Sequence, residues 1–359
     1  MNVNALIKEK VTILIFILFR YQMKAWILER QAPVEKKPLV LKELPDPHPK
    51  PHEIRIRNIA CGVCRTDIHV AEGDLPLKKS PLILGHEIVG VVDKIGEQVT
   101  NFNIGDRAGI TWLKNTCGKC KFCLSDKENL CTNAHFTGWD GDGGYAEYSV
   151  ISADFAFHLG KIHSFVEMAP LMCPGVAGYR AFRLTGLQSG DKLGLYGFGP
   201  TANYVLQVAK HKNIGVYVIT RSRKNKRLAE SIGADWVGGY DDKIPVMLDG
   251  SIIFPPVGNL VSYALSQLNS GGRLVLGPVT MTPIEIKDYN LIWQERSIIS
   301  LAHITRKDAV EFLQLANRIN LKAPIEVFPF EDLPEALIRV KQGKVNGNAV
   351  IQITEDETI

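Results

Sequence analysis

Four of the chain's seven thiols crowd into one stretch, "CGKCKFCLSDKENLC". Cys117, Cys120, Cys123 and Cys131 are separated by two, two and seven residues. Cysteines three apart make awkward disulfide partners, because the bond needs Cα atoms roughly 4.4–6.8 Å apart and Cβ vectors that face each other. Four thiolates on a tight loop suit zinc, which takes four sulfurs at about 2.3 Å in a closed tetrahedron. The spacing therefore favours a metal. Such a tetrahedron has no open position, so this lobe is structural and the chemistry belongs elsewhere.

A metal that does chemistry has three protein ligands and an open position for water or substrate, and two cysteines with one histidine is a known set. The remaining candidates are Cys61 and Cys64 in "CGVCRTDIH", His86 in "LGHEIVG" and Cys173 in "APLMCPGVAGYRAF". Singly, each has a plainer explanation. A lone buried cysteine is ordinarily inert core, and a lone histidine on an apolar strand is ordinarily a hydrogen-bonded core residue.

A third constellation is "LYGFGPTA", with Gly197, Gly199 and Ala202 in a G-x-G-x-x-A pattern and Phe198, Pro200 and Thr201 between them. Glycines there permit a tight turn and let backbone N–H groups approach a pyrophosphate at a helix N-terminus. Alone the pattern is weak, since a plain strand-to-helix turn also satisfies it. Opening a βαβ unit is the context that marks dinucleotide binding. About 20 residues on, an Asp or Glu would hold the adenosine ribose of NAD, but the chain has Thr220, Arg221, Ser222 and Arg223. No carboxylate repels a 2′-phosphate there, and guanidinium and hydroxyl donors can hold one. NADP(H) is thus favoured, with NAD(H) the alternative. The competing explanation has these basic residues solvating the start of the next helix.

Two kinds of element must position these groups. From Lys24 to about Ala156, short β-type runs such as "HEIRIRNIA", "EIVGVVDKIG" and "GYAEYSVI" alternate with turns, as in a barrel-like antiparallel domain. From Asp191 to about His303, apolar strands ("KLGLYGFG", "GVYVITRS", "SIIFPPV", "RLVLGPV", "SIISLAH") alternate with helical segments, as in a parallel doubly wound sheet of an α/β protein. The tail from Thr305 holds one amphipathic helix, "DAVEFLQLANRI", then "FEDLPEALIRVKQG" and a closing strand "NAVIQI". It is too short for a domain and is expected to pack back on an earlier one.

Composition narrows the class. The 359 residues are 45% hydrophobic and 22% charged, an ordinary globular mixture suited to two domains. A net charge of +4 is too small to argue for nucleic acid. Seven cysteines without a paired secreted pattern point to a reducing compartment. The first 22 residues sit apart, with an apolar run from Val11 to Phe19 flanked by Lys8, Lys10 and Arg20. That run is shorter than the ~20 residues a membrane-spanning helix needs, and no small-x-small cleavage site precedes Met23. Translation starting at Met23 is expected, a targeting segment is the alternative, and no membrane partner is expected.

With "VCRTDIH", "GHE", the four-cysteine lobe, "MCPG" and the dinucleotide turn in this order, the chain resembles the zinc-containing medium-chain alcohol dehydrogenases over about Lys24 to Ile353. The resemblance implies a GroES-like β-rich catalytic domain at 23–173, a Rossmann cofactor domain at 174–304, and a return of 305–359 to the catalytic domain. Residues 1–22 would be an extension, and the active site would lie in the cleft between domains. It implies two zinc ions per subunit: a catalytic one on Cys64, His86 and Cys173, and a structural one on Cys117, Cys120, Cys123 and Cys131. Asp67 would orient His86, and Glu87 would stand close to the metal. Thr66 would accept the alcohol proton, His69 would pass it to solvent through the cofactor ribose, and Arg65 would sit near the cofactor phosphates. Cys61 is left as core.

The implied activity is that of a zinc-dependent alcohol dehydrogenase or aldehyde reductase. Zinc acidifies the bound alcohol and the nicotinamide carries out the redox step. A cytoplasmic homodimer or homotetramer is the family habit. Three positions depart from common family patterns: Pro200 removes an N–H from the phosphate turn, Ala177 stands where many members have Thr, and Asn348 where some have a basic residue. Trp112 and Trp139 fall where members line the substrate pocket; if both face the cleft, that pocket is apolar and favours alcohols or aldehydes over sugars. A polyol dehydrogenase on the same scaffold is the rival enzyme. A zinc-ribbon nucleic-acid binder is the rival from another class, disfavoured by weak charge and the lack of basic and aromatic interleaving around the lobe. A catalytically silent relative is disfavoured by the complete ligand and relay set.

Overall fold

A computed structural model describes residues 22–355. Of the expected extension, 1–21 lie outside the described residues, and Met23 falls in the first strand, Gln22–Leu28. Strand Glu53–Val63 is central to the first half because Ile54, Ile56, Ile59, Ala60 and Cys61 are all buried. It lies inside a seven-stranded sheet ordered Ala156–His158, Arg107–Ile110, Glu87–Ile95, Glu53–Val63, Asn348–Gln352, Ile325–Pro329, with Tyr148–Ser152 also paired to Glu53–Val63. Neighbours are antiparallel except the last two, which come from the end of the chain. Between Glu53–Val63 and Glu87–Ile95, Gly62 makes room for the Glu87 side chain: a Cβ there would stand 1.9 Å from Glu87 Oε2 and 2.9 Å from Glu87 Cβ. Only glycine fits there.

The second half is the parallel α/β sheet expected from the alternating pattern. Its six strands run in the order Trp236–Gly238, Gly215–Ile219, Lys192–Tyr196, Leu248–Ile253, Leu268–Leu276, Ser297–Ser300. Numbered along the chain this is 3-2-1-4-5-6, the doubly wound order whose ligands bind beyond the strands' carboxyl ends. Leu193, Leu195, Val216, Val218, Ile252 and Val275 are fully buried, as apolar parallel strands covered on both faces must be. Strand Leu268–Leu276 begins earlier than the sequence suggests, because "LNSGG" extends the pairing with a register shift at Leu248/Gly250.

Three helices deliver the site. Arg65–Glu72 starts at Cys64, whose N–H is accepted by Asp67 Oδ2 (2.8 Å), and stops at the left-handed Gly73. Pro174–Thr185 has proline in its first turn, where the missing N–H costs nothing, and ends at left-handed Gly186. Pro200–His211 opens directly from the glycine turn. Helix Arg306–Ile319 is capped by Thr305 and Asp308 and packs against Pro174–Thr185. Among the described residues no helix is long and apolar enough to cross a membrane.

Candidate active site

Cys64 sits where strand Glu53–Val63 turns into its helix, His86 immediately precedes strand Glu87–Ile95, and Cys173 precedes helix Pro174–Thr185. Ligating atoms of Cys64, His86, Glu87 and Cys173 all lie within 4.8 Å of one another. The sulfurs of Cys64 and Cys173 are 3.9 Å apart. Two sulfurs on one tetrahedral metal at about 2.3 Å would stand about 3.8 Å apart. His86 is buried, its Nδ1 bonds Asp67 Oδ1 at 3.0 Å, and its Nε2 has no partner. An unpartnered buried nitrogen beside two thiols fits a metal ligand, and the donor set as a whole fits zinc.

Asp67 is fixed from four sides. Besides His86 and the Cys64 N–H, it accepts from the Gly85 N–H (3.2 Å) and the Tyr145 hydroxyl (3.0 Å). Sequence reading found Asp67 but not Tyr145 or Gly85, because those partners are brought in only by folding. Burial alone would lower His86, but the charge and hydrogen bond of Asp67 more than offset it and hold it well above its usual range. The hydrogen bond with Cys173 holds Cys64 well below the ordinary thiol range, and the same contact pushes Cys173 well up. Burial, then the neighbouring Cys64 thiolate, push the Glu87 carboxyl well up.

The four-cysteine lobe forms a second cluster. Sulfur separations are 3.5 Å for Cys120–Cys123, 3.6 Å for Cys117–Cys131 and 3.9 Å for Cys117–Cys123. These are tetrahedral-edge distances, far beyond the 2.05 Å of a disulfide. Backbone N–H groups of Lys119 and Cys120 bring Cys117 down to about 6, while burial pushes Cys131 up to about 11. Cys61 lies fully buried in the core of the β-rich half.

A cleft of ≈ 620 Å³ joins the first cluster to the glycine turn. Cys64, Arg65, Glu87 and Pro174 line one side, Phe198, Gly199, Pro200 and Thr201 another, and Asn346, Gly347 and Asn348 close it. Gly197 (φ 81°) is required by its turn, since a Cβ would stand 2.7 Å from Pro255. Ala202 is buried beneath the turn. An adjoining hollow is lined by Gly197, Thr220, Arg221 and Ser222, and no carboxylate lines it. Ser222 accepts from the Asn225 N–H as a helix cap. Arg223 is exposed as the first residue of that helix and lines neither cavity. Asn203, buried with an unpartnered Nδ2, also lines the cleft, together with Lys224 and Asn225; motif reading does not reach these three.

Thr66 Oγ1 is 3.8 Å from Cys64 Sγ. His69, one turn on, is held through Nδ1 by Asp74 Oδ2 at 2.7 Å. Trp112 stacks with Trp139 at 6.0 Å and stands 6.4 Å from the His86 ring. Ala177 packs against the core rather than lining the cleft.

Residues 50–161 match the family model described as the alcohol dehydrogenase GroES-like domain. The chain is 41% identical over 337 residues to a probable alcohol dehydrogenase of Mycobacterium tuberculosis, covering 92% of this chain and 97% of that one. It is 35% identical over 340 residues to an alcohol dehydrogenase of Geobacillus stearothermophilus, covering 92% and 100%. Among solved structures, a cobalt- and zinc-bound thermostable alcohol dehydrogenase from Pyrobaculum aerophilum superposes with a TM-score of 0.83 at 27% identity, covering 93% and 100%.

Proposed function

This chain belongs to the zinc-containing medium-chain alcohol dehydrogenases, and on that premise we propose a zinc-dependent enzyme that moves hydride between a primary or secondary alcohol and NADP(H). One observation carries the reading. The buried, unpartnered Nε2 of His86 converges with two thiols at the head of a cleft that also contains the dinucleotide turn.

Cys64, His86 and Cys173 would hold the catalytic zinc, and Cys117, Cys120, Cys123 and Cys131 the structural one. When bound, zinc supplies a Lewis acid that acidifies an alcohol and polarises a carbonyl. Asp67 accepts a hydrogen bond from the Nδ1–H of His86 and so leaves the Nε2 lone pair toward the metal site. Glu87 stands close to the three ligands, in space that Gly62 leaves free. Thr66 accepts the alcohol proton, and His69, with Nδ1 held by Asp74, passes it to solvent. Arg65 and the turn at Phe198–Thr201 receive the phosphates. Thr220, Arg221 and Ser222 receive the 2′-phosphate, which the carboxylate-free lining supports; Arg223 helps through charge alone. The Pyrobaculum relative's metals support zinc here. The free thiols and the family habit support a cytoplasmic homodimer or homotetramer.

The test is oxidation of primary and secondary alcohols, and reduction of the matching aldehydes and ketones, by zinc-loaded protein with NADP(H) and NAD(H) in parallel. Turnover that persists with no metal at Cys64, His86 and Cys173 refutes the mechanism.

A further inference from the structure

We propose that the imidazole of His303 binds a second hydroxyl group on the substrate, so that hydroxylated short-chain alcohols or aldehydes are preferred to plain alkanols and alkanals. The proposal rests on the alcohol dehydrogenase reading above and deepens it.

His303 follows the last parallel strand, Ser297–Ser300, at the carboxyl end of the sheet where ligands of such folds bind. Its φ is 52°, a left-handed conformation that a residue with a Cβ adopts only where its surroundings impose it. Asn129 Nδ2 donates to the Ala302 carbonyl at 2.6 Å, and Glu128 Oε1 accepts from the Arg306 N–H at 2.9 Å. Both lobe residues are buried and lie between Cys123 and Cys131. The metal-tied lobe thus grips the chain on both sides of His303.

The ring so held has no hydrogen-bond partner. Both nitrogens are buried, and the Ile304 carbonyl lies beside the ring without completing a bond. Its ring and that of Trp112 meet T-shaped with centroids 4.9 Å apart, and Trp112 is in turn the neighbour of His86. Trp112 Nε1 is also buried and unpartnered, as are the hydroxyls of Thr111 and Thr137, whose N–H donates to the Trp112 carbonyl. Unpaired buried polar groups are costly. His303 stands one ring away from His86, and a site built on such an unpaired group rejects analogues that lack its partner. Burial pushes His303 down to about 3, so the imidazole is neutral and offers one donor and one acceptor. That pair matches a hydroxyl and not a carboxylate.

The experiment compares zinc-loaded wild type with His303→Ala and His303→Gln on pairs of equal heavy-atom count: 1,2-ethanediol against 1-propanol, and 1,3-propanediol against 1-butanol. Wild type is expected to have the higher kcat/KM for at least one diol. His303→Ala should cut the diol-to-alkanol ratio on the order of ten- to a hundredfold, and His303→Gln should recover part of it. Asn129→Ala, away from the substrate, should lower the same ratio with both zincs retained, which keeps the test alive if His303→Ala does not fold. An equal fall for both members of a pair with a raised KM for cofactor would assign His303 to the nicotinamide and overturn the proposal. So would alkanol turnover with no diol preference in wild type. No turnover of any member with either cofactor sinks the alcohol dehydrogenase reading as well.

Discussion

At the scale of single residues, the two proposed zinc sites are separable. Cys64→Ala should leave one zinc per subunit, held by the lobe, while turnover is lost; metal analysis beside an activity assay reads both. Asp67 and Cys64 together outweigh burial and hold His86 well above its usual range, whereas zinc needs the Nε2 lone pair free. Zinc affinity should therefore rise with pH until the raised pKa is passed. Asp67→Asn should shrink the His86 share of the proton release, measured with an indicator dye during zinc titration. Arg221→Asp places a carboxylate in the hollow beside the turn and should weaken NADP(H) by about 2 kcal/mol, with NAD(H) little affected. Equal loss with both cofactors would reject the 2′-phosphate assignment. The lobe was legible because its four thiols are close in sequence, and Cys64, His86 and Cys173 through the order of their motifs. His303 and Tyr145 carry no such signal, since their meaning comes from unpaired or shared atoms that only the folded chain brings together. Arg223 shows the limit of a basic run: it lies beside the expected phosphate site in sequence yet faces solvent at a helix start.

At the scale of elements, two junctions set the cleft. Asp308 caps helix Arg306–Ile319 by accepting from the Thr305 N–H, and it also binds Arg180 (2.5 Å) and Arg183 (2.7 Å) from helix Pro174–Thr185. Burial pushes the Asp308 carboxyl up, but the Thr305 hydrogen bonds and Arg180 more than offset it, leaving it below its ordinary range. Asp308→Ala should cost about 3 kcal/mol at pH 7 in urea unfolding. A depressed folded pKa means this stabilisation is complete above the unfolded value, about 3.9, and is lost as pH falls through the folded one. The gap between wild type and variant should therefore narrow only below about pH 4. Gly62→Ala should cost about 1–3 kcal/mol through overpacking and displace Glu87 from the metal cluster. Periodicity located these strands and helices because their buried faces are apolar. It could not locate the start of Leu268–Leu276, whose first residues are held by backbone pairing rather than by an apolar face.

At the scale of the whole molecule, the cleft draws on residues far apart in the chain, among them Cys64 and Arg65, Glu87, Pro174, Phe198–Thr201, Lys224 and Asn225, and Asn346–Asn348. NADPH at a hundred times its Kd should therefore stabilise the entire fold by about 2.7 kcal/mol, seen as one cooperative shift in Tm that Arg221→Asp diminishes. The same arrangement governs how the protein is made. Asn348–Gln352 pairs with Ala60–Val63, the residues leading into Cys64. A nascent chain that stops short of Asn348 leaves that flank of Glu53–Val63 bare, a sticky template for neighbouring polypeptides on the polysome. Closure of the sheet around Glu53–Val63 waits for the residues up to 352 to leave the ribosomal exit tunnel, long after its other strands have emerged.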